Sequence, residues 1–286
     1  MAVLGALAIA FSSILVKLAH VSPSTAAIFR CAYALPLLGA FAWWERRRFG
    51  PRSARERWLA VIAGVLFAAD LICWHHAIGA VGAGLATVLG NLQVAFVPLL
   101  AWVVLAERPA RHILATLPVV MLGVVLVSGV LEHGAYGGDP VGGMVYGLAT
   151  GLTYAGFILV LRHGNADLRR PAGPLFDATA TATVTAIAAG LVIGDADLAP
   201  SWPAHGWLVL LALTSQVLGW LLISVSLPRL PAALTSLLLT VQPVGSVILG
   251  AILFGESPTP LQLAGVAAIL TGLATLTRSR SPVPAD

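Results

Sequence analysis

The stretch Ala83–Pro109, AGLATVLGNLQVAFVPLLAWVVLAERP, is a long apolar run that carries two amides, Asn91 and Gln93, and ends beside Glu107. A second stretch, Ala232–Pro258, reads AALTSLLLTVQPVGSVILGAILFGESP and lies 149 positions further on. An ungapped alignment of the two pairs Ala83 with Ala232, Leu85 with Leu234, Leu89 with Leu238, Gln93 with Gln242, Leu100 with Leu249, Glu107 with Glu256 and Pro109 with Pro258. Similarity at a fixed spacing indicates an internal repeat. We therefore predict two copies of one unit.

Charged residues are scarce in this sequence. Only 10% of the 286 residues are charged and 58% are hydrophobic, whereas about a quarter of the residues of soluble domains are charged. This composition predicts a membrane protein, with the lipid bilayer as its surroundings. The net charge of +4 does not come from an arginine-rich helix or an aromatic-interleaved basic patch, so nucleic acid is not predicted as a partner.

Motifs of metal, cofactor or nucleophile chemistry do not occur in the sequence. Zinc-ligand spacings, phosphate-binding loops and nucleophile elbows are missing, so we predict no metal, no cofactor and no enzymatic activity. Cys31 and Cys73 lie in apolar runs and are interpreted as small core residues, not as a disulfide. The first apolar segment lacks a basic start and is expected to be retained and not cleaved.

Apolar segments long enough to cross a bilayer recur along the chain. Crossing about 30 Å of hydrocarbon takes roughly 20 residues of helix. We predict an all-α integral membrane protein with ten transmembrane helices. The predicted spans are 2–18, 25–43, 58–78, 83–104, 113–131, 142–161, 174–193, 206–227, 232–253 and 261–277.

The loops between the predicted spans differ in charge, and cytoplasmic loops are those that collect Lys and Arg. Arginines follow every even-numbered span, whereas the alternate loops contain neither Lys nor Arg. The arginines are Arg46, Arg47, Arg48, Arg52, Arg55, Arg57, Arg108, Arg111, Arg162, Arg169, Arg170, Arg229, Arg278 and Arg280. This alternation predicts an inner (plasma) membrane protein with both termini in the cytoplasm.

Five spans per unit is an odd number, so the second copy should cross the membrane in the opposite sense to the first. We predict a first repeat at 1–131, an external linker at 132–140, a second repeat at 141–277 and a cytoplasmic tail at 278–286. Inverted repeats are common in secondary transporters, in which the substrate site lies between the two halves. The sequence thus predicts alternating access around a central site.

Each copy has an apolar run that ends in Gly or Ala, Glu, any residue and Pro, followed by an apolar helix with a Gly. The residues that carry this pattern are Ala106-Glu107-Arg108-Pro109 with Gly123, and Pro243 and Gly255-Glu256-Ser257-Pro258 with Gly272. The pattern, together with Arg30 early in span two, resembles the EamA-type repeat of the drug/metabolite transporter superfamily. Two such repeats form the ten-helix exporters of that superfamily. The resemblance implies export of small metabolites such as amino acids.

The first copy departs from the pattern at one position, because Val94 stands where the second copy has Pro243. In the first copy Pro98 follows one turn later. Since a proline inside a helix frees a backbone carbonyl, we expect a hinge or a substrate contact near Pro98 and Pro243.

Ionisable residues inside the predicted spans are costly and need a reason. Arg30 and Asp70 lie at similar depths, which fits either a structural ion pair or a coupling site. If transport is coupled to protons, Asp70 is the preferred carrier, with His75 or His76 next. The two histidines are adjacent and point to different faces of one helix, so they are not expected to share a metal ion.

Charged residues near the span ends have simpler interpretations. Lys17 is expected to extend its ammonium to the membrane surface. Asp177 is expected to pair with Arg162 at the cytoplasmic interface. Glu107 and Glu256 lie at helix ends beside prolines and are predicted to bind the amides of helix ends.

Amides and aromatic residues near the middle of the spans are candidates for the substrate cavity. Buried amides need partners, so they either line a wet cavity or join helices, and we favour the cavity. The predicted cavity residues are Trp74, Asn91, Gln93, Tyr154, Gln216, Trp220, Thr240 and Gln242. The small residues Gly147 and Gly151 are predicted to let helices pack closely.

The sequence therefore predicts a secondary-active transporter, an exporter of small metabolites such as amino acids. A facilitator or uptake carrier is an alternative of the same class. A membrane enzyme or scaffold is an alternative of another class, and the lack of clustered catalytic side chains on one side of the membrane speaks against it. No oligomeric state is predicted.

Overall fold

The computed structural model describes residues 2–105, 111–129, 131–132, 136–164, 167, 169–226 and 241–278. These residues form helices joined by turns and short loops. In chain order the helices are α1 (Ala2–Ala10), α2 (Ser12–Ala19), α3 (Pro23–Ala32), α4 (Leu35–Phe49), α5 (Ala54–Val81), α6 (Ala83–Gly90), α7 (Gln93–Leu105), α8 (Arg111–Ser128), α9 (Pro140–Gly164), α10 (Ala172–Ile193), α11 (Ala204–Leu211), a π-helical segment (Ala212–Gly219), α12 (Trp220–Ser226), α13 (Val241–Phe254) and α14 (Pro260–Arg278).

Apolar helices of two lengths overlap the predicted spans. Five are long and apolar enough to cross a membrane, at Pro23–Phe49, Ala54–Val81, Pro140–Gly164, Ala172–Ile193 and Ala204–Ile223. Five further apolar helices are shorter, at Ala8–Ala19, Ala83–Val97, Leu114–Val127, Gln242–Phe254 and Pro260–Gly272. The chain is an integral, multi-pass membrane protein.

The expected hinge of span four is not at Pro98. Helix α6 ends at Gly90, Asn91 and Leu92 form a turn, and α7 begins before Pro98. A proline obstructs the carbonyl four residues before it, which here belongs to Val94, so Pro98 does not cause the break. The break lies at Asn91, whose side-chain amide donates to the carbonyl of Thr87 at 2.9 Å beside its own backbone N–H, and the bonds that follow span three residues and not four.

Helices from the two predicted repeats pack against each other in corresponding pairs. Helices α3 and α4 pack on α10, α6 on α13, and α8 on α14. In addition, α5 packs along α9, while α1 and α2 pack along the helix that contains the π-helical segment. The first three contacts join like positions of the two repeats, and the last two exchange with each other when the repeats are exchanged. This is the arrangement expected of a pseudo-twofold axis between the repeats.

Glycines permit the closest of these contacts. A Cβ on Gly265 of α14 would lie 2.8 Å from the carbonyl oxygen of Gly123 of α8. The predicted close packing at Gly147 and Gly151 is confirmed, because a Cβ on these residues would lie 2.5 Å from Leu89 and 2.9 Å from Leu92. Such small-residue contacts bring helix backbones together inside a bilayer.

Two opposite ends of the bundle are named here by their residues. The Lys17 end holds Lys17 and Glu256, and the Arg52 end holds Arg52 and Asp177. At the Lys17 end, Glu256 binds the first turn of α6: Oε1 accepts from the amide of Ala83 at 2.7 Å and Oε2 from that of Gly84 at 3.0 Å. The predicted amide-binding role of Glu256 is confirmed.

Lys17 lies at a helix end with its side chain 27% exposed, as expected, and it also has a partner that the sequence did not predict. Its ammonium lies 2.8 Å from Oε1 of Glu256, a residue that is 4% exposed. It also lies 3.4 Å from the hydroxyl of Tyr136. The ion pair provides a counter-charge for the buried carboxylate, since an unpaired buried charge is very unfavourable.

Space for the Glu256 carboxylate is provided by glycines. Gly82 begins the turn before α6 with a φ of +86°, and a Cβ there would lie 2.9 Å from Cδ of Glu256. A Cβ on Gly250 would lie 2.4 Å from Oε2. Larger residues at either position would displace the carboxylate from the helix end.

Two more carboxylates cap helices across the repeats in the same way. Glu45, at the end of α4, accepts from the amides of Ala172 and Gly173 at 2.9 and 2.8 Å, at the start of α10. Asp195, just after α10, accepts from the amide of Ser24 at 3.2 Å, at the start of α3. Helices α3–α4 and α10 thus cap each other. Glu107, the repeat counterpart of Glu256, lies outside the described residues.

Asp177 is bound by a different arginine from the one predicted. Its carboxylate pairs with Arg52 in the loop before α5, and Arg57 lies 4.0 Å away. The predicted partner Arg162 is an exposed residue at the end of α9. The loop before α5 reaches the start of α10 because Glu45 fixes that helix end nearby.

A variant of Glu256 tests the helix cap that joins the repeats. We expect Glu256→Gln to lower the free energy of unfolding by about 2 kcal/mol, because hydrogen bonds to a charged group are weakened and Lys17 loses its counter-ion. Unfolding in mixed detergent micelles measures the change. Glu56→Gln is the control, since Glu56 belongs to an exposed capping box within α5 and should cost about 0.5 kcal/mol. Equal effects of the two variants would contradict the assignment.

Candidate functional site

A small cavity lies in the middle of the bundle and is lined by both repeats. Its volume is about 50 Å³. The first repeat contributes Ile9, Ser12, Arg30, Phe67, Asp70, Leu71, Trp74, Thr87, Gly90 and Asn91, and the second contributes Thr150, Tyr154, Trp220 and Gln242. We name it the central cavity. Since a water molecule occupies about 30 Å³, it has room for one or two waters in this conformation.

Two residues of opposite charge line the central cavity. Arg30 is 3% exposed and Asp70 is 6% exposed. The Nε of Arg30 donates to Oε1 of Gln216 at 3.2 Å, and Nε2 of Gln216 donates to Thr179 at 3.1 Å. Among the described residues, Arg30 and Asp70 do not approach within the 4.0 Å of an ion pair. Gln216 therefore holds the guanidinium beside the carboxylate without a direct bond between them.

The π-helical segment places Gln216 in this position. A π-helical turn holds more residues than an α-helical one, so it alters the direction of the side chains on either side of it, and such turns are frequent at functional sites. Here the segment also packs against α1, where Ser215 donates to the carbonyl of Ala8 at 3.0 Å. Gln216 is completely buried, which fits its role as a support and not as a cavity wall.

Aromatic rings form one wall of the central cavity. Trp220 meets Phe157 edge-on at 5.1 Å between ring centroids, and Tyr154 edge-on at 6.0 Å. Phe67 stacks on Phe157 at 4.5 Å. On another side, the guanidinium carbon of Arg30 lies 5.8 Å from the ring of Trp74. The rings offer an apolar surface and a π-face for a cation.

Polar groups on three different helices complete the lining. Asn91 lies at the turn between α6 and α7 and is 5% exposed. Nε2 of Gln242 and Oγ1 of Thr150 are buried and have no hydrogen-bond partner among the described residues. Buried polar groups without partners are unfavourable, so these two atoms are available to a ligand or to water.

A second cavity of about 400 Å³ opens at the Lys17 end. Lys17, His20, His75 and Tyr136 provide its polar lining. His75 is 3% exposed, and its Nδ1 lies 3.0 Å from the carbonyl oxygen of Pro23. Because that oxygen can only accept, Nδ1 carries the proton in this bond. We name this cavity the Lys17 vestibule.

The structure separates the predicted site residues into groups. The central cavity collects Arg30, Asp70, Trp74, Asn91, Tyr154, Trp220 and Gln242, and Gln216 supports it through Arg30. His75 lines the Lys17 vestibule, and His76 stacks on Tyr146 at 4.8 Å. Gln93 is 4% exposed and is outside the lining of the central cavity within the described part of the chain. Thr240 lies outside the described residues.

Sequence reasoning missed Thr87, Thr150 and Thr179. Each is a helical threonine, a residue type that often bonds its own helix, so single occurrences carry little signal. Thr87 does so here, since its hydroxyl donates to the carbonyl of Ala83 at 2.8 Å. Thr150 lies three residues after Gly147 on α9, so the two residues share a face of the helix. The packing face predicted at Gly147 could therefore have indicated the position of Thr150.

The central cavity has features of a binding site for a small polar ligand within a membrane. Residues 1–129 and 141–278 match the EamA-like transporter family. No curated protein sequence matches the chain. One solved crystal structure of a protein aligns over 96% of both chains, with a TM-score of 0.59 and 16% identity, which shows a shared fold. With both repeats matched, the chain belongs to the EamA-like transporter family.

Proposed function

We propose that this protein is a secondary-active transporter that exports small metabolites such as amino acids by alternating access between two inverted five-helix halves. The observation that carries the proposal is the central cavity, which lies between the matched stretches and has a carboxylate and a guanidinium on its wall. Inverted-repeat transporters bind substrate at such a position. The family supports a transporter over an enzyme.

The chemistry of the central cavity fits a zwitterion. An amino acid carries an ammonium, for which Asp70 is the complementary group, and a carboxylate, for which the fork of Arg30 is complementary. The free atoms of Gln242 and Thr150 add hydrogen-bonding capacity. The aromatic wall suits an apolar substrate side chain.

Transport requires the central cavity to enlarge. Ligand sites in proteins usually have volumes of about 300 to 1,000 Å³, far above the volume of the central cavity in this conformation. The Lys17 vestibule is in that range, at about 400 Å³. The turn at Asn91 and the π-helical segment are two of the places where lining helices deviate from α geometry, and we expect them to adjust when substrate enters.

The loop charges support a cytoplasmic location of the Arg52 end. By the same rule, the Lys17 end would face outwards from an inner membrane, with both termini in the cytoplasm. In this orientation the Lys17 vestibule lies on the release side of an exporter. A facilitator or an uptake carrier would use the same cavity with a different coupling.

Counterflow in proteoliposomes tests the proposed function. Vesicles preloaded with one unlabelled amino acid at a time should accumulate the labelled form faster than empty vesicles do. The panel includes aromatic, aliphatic, acidic and basic amino acids and related amines. If no member of this panel shows saturable, protein-dependent flux, the proposal of amino-acid transport fails.

A variant of Asp70 tests coupling to protons. We expect Asp70→Asn to abolish the pH dependence of transport while the protein stays folded in the membrane, because the amide cannot bind or release a proton in this range. Initial rates at several external pH values measure it. Asp139→Asn is the control, since Asp139 lies in the loop before α9 and caps Gly142 with an oxygen that Asn retains. Loss of Asp70→Asn from the membrane would instead assign a structural role to Asp70.

A variant of Gln216 tests how Arg30 is positioned. We expect Gln216→Leu to raise KM roughly tenfold with a smaller change in the maximal rate, because Arg30 loses the bond that orients it, worth about 1 to 2 kcal/mol. Thr153→Val is the control, since Thr153 donates only to carbonyls of its own helix α9. An unchanged KM in folded Gln216→Leu would contradict the role of Gln216 in positioning Arg30 for substrate.

A further inference from the structure

The membrane-facing side of α4 changes from apolar to basic over its last three turns. Leu37 is 39% exposed, Phe41 is 42% exposed and Trp44 is 51% exposed. Together with Arg48, these residues follow a spacing of four, three and four, which puts them on one face of the helix. The face begins near the middle of the apolar span Pro23–Phe49 and ends at the Arg52 end.

The last turn of α4 carries stacked cation–aromatic pairs. The guanidinium carbon of Arg47 lies 4.0 Å from the ring centroid of Trp43, and that of Arg48 lies 5.3 Å from the ring of Trp44. Trp43 is 56% exposed, and both arginines are exposed. Stacking on a flat ring holds a guanidinium in place and leaves its N–H edge free for an anion.

The carboxylates of this end are already bound to other groups in the described part of the chain. Glu45 binds the amides of α10, Glu56 binds Ser53, and Asp177 binds Arg52. Asp167 pairs with Arg169 and Arg170. None of the described carboxylates lies within 4.0 Å of the guanidinium of Arg47 or Arg48. The two guanidiniums therefore keep their positive charge available.

The length of this face matches one leaflet of a bilayer. Arg48 lies eleven positions after Leu37, which is roughly 16 Å along the helix at 1.5 Å per residue. Half of a typical hydrocarbon core is about 15 Å. When the apolar stripe lies beside acyl chains, Arg47 and Arg48 lie at the depth of the phosphates, where Trp rings also accumulate.

We propose that this side of α4, defined by Leu37, Phe41, Trp43, Trp44, Arg47 and Arg48, is a binding site for an anionic phospholipid. The two guanidiniums bind the headgroup phosphate through their N–H edges, and the acyl chain follows the stripe of Leu37 and Phe41. The apolar stripe is what selects a lipid over a soluble phosphate or an acidic protein. The site is separate from the central cavity and does not depend on what the protein transports.

Native mass spectrometry of the detergent-purified protein tests this site. The probes are phosphatidylglycerol and phosphatidylcholine with identical chains. We expect wild-type protein to bind phosphatidylglycerol more tightly, and Arg47→Gln/Arg48→Gln to bind it roughly tenfold or more weakly, since each arginine near anionic lipid contributes about fivefold. The control is the double variant Arg55→Gln/Arg162→Gln, which removes the same amount of charge from other helices of this end. It should still prefer phosphatidylglycerol to phosphatidylcholine.

Two results would overturn the lipid site. One is an equal affinity of wild-type protein for the two lipids, and the other is an equal loss in both double variants, which would indicate general surface charge. Phe41→Ser tests the acyl stripe, because it should weaken phosphatidylglycerol binding several-fold with every charge in place. Competition by millimolar glycerol phosphate would indicate a soluble-anion site and contradict the proposal. Thermal unfolding of each variant verifies that it is folded.

Discussion

The structure depends on acidic side chains that lie at the end of one helix and bind the start of another. A carboxylate at a helix C-terminus is unfavourable for its own helix, whose partial charge there is negative. Glu45 lies in the last turn of α4, and Asp195 and Glu256 follow the ends of α10 and α13. Each is stabilised by the N–H groups of a helix from the other repeat. A carboxylate that is unfavourable for its own helix thus stabilises the contact between the repeats.

This constraint also sets the positions of nearby groups. The cap by Glu256 draws Lys17 into an ion pair and requires glycine at 82 and 250. The cap by Glu45 brings the start of α10 beside the loop before α5, where Arg52 binds Asp177. In a bilayer, which supplies no hydrogen bonds to a helix end buried in protein, such caps satisfy the amides that a soluble protein leaves to water.

Much of this arrangement could be predicted from residue patterns with a clear physical cause. The apolar segments follow from bilayer thickness, and the role of Glu256 follows from its place beside proline at a helix end. The gathering of Arg30, Asp70, Trp74 and Asn91 follows from depth and helical period. Partner choice could not be predicted this way, since Lys17, Asp177 and Arg30 each bind a residue more than 100 positions away. Glu45 had a detectable signal, because an acidic residue before three arginines at a helix end conflicts with its own helix.

The caps restrict how the proposed alternating access takes place. If the halves separated as rigid bodies at the Lys17 end, Glu256 would leave the amides of Ala83 and Gly84, and each buried group left unpaired costs about 1 to 3 kcal/mol. Helix α6 has another option, because the turn at Asn91 already uncouples it from α7. It can keep its cap and move with α13 while the rest of the first repeat moves separately. In the proposed alternating access, the capped helix ends would then stay together while the rest of the two halves move relative to each other.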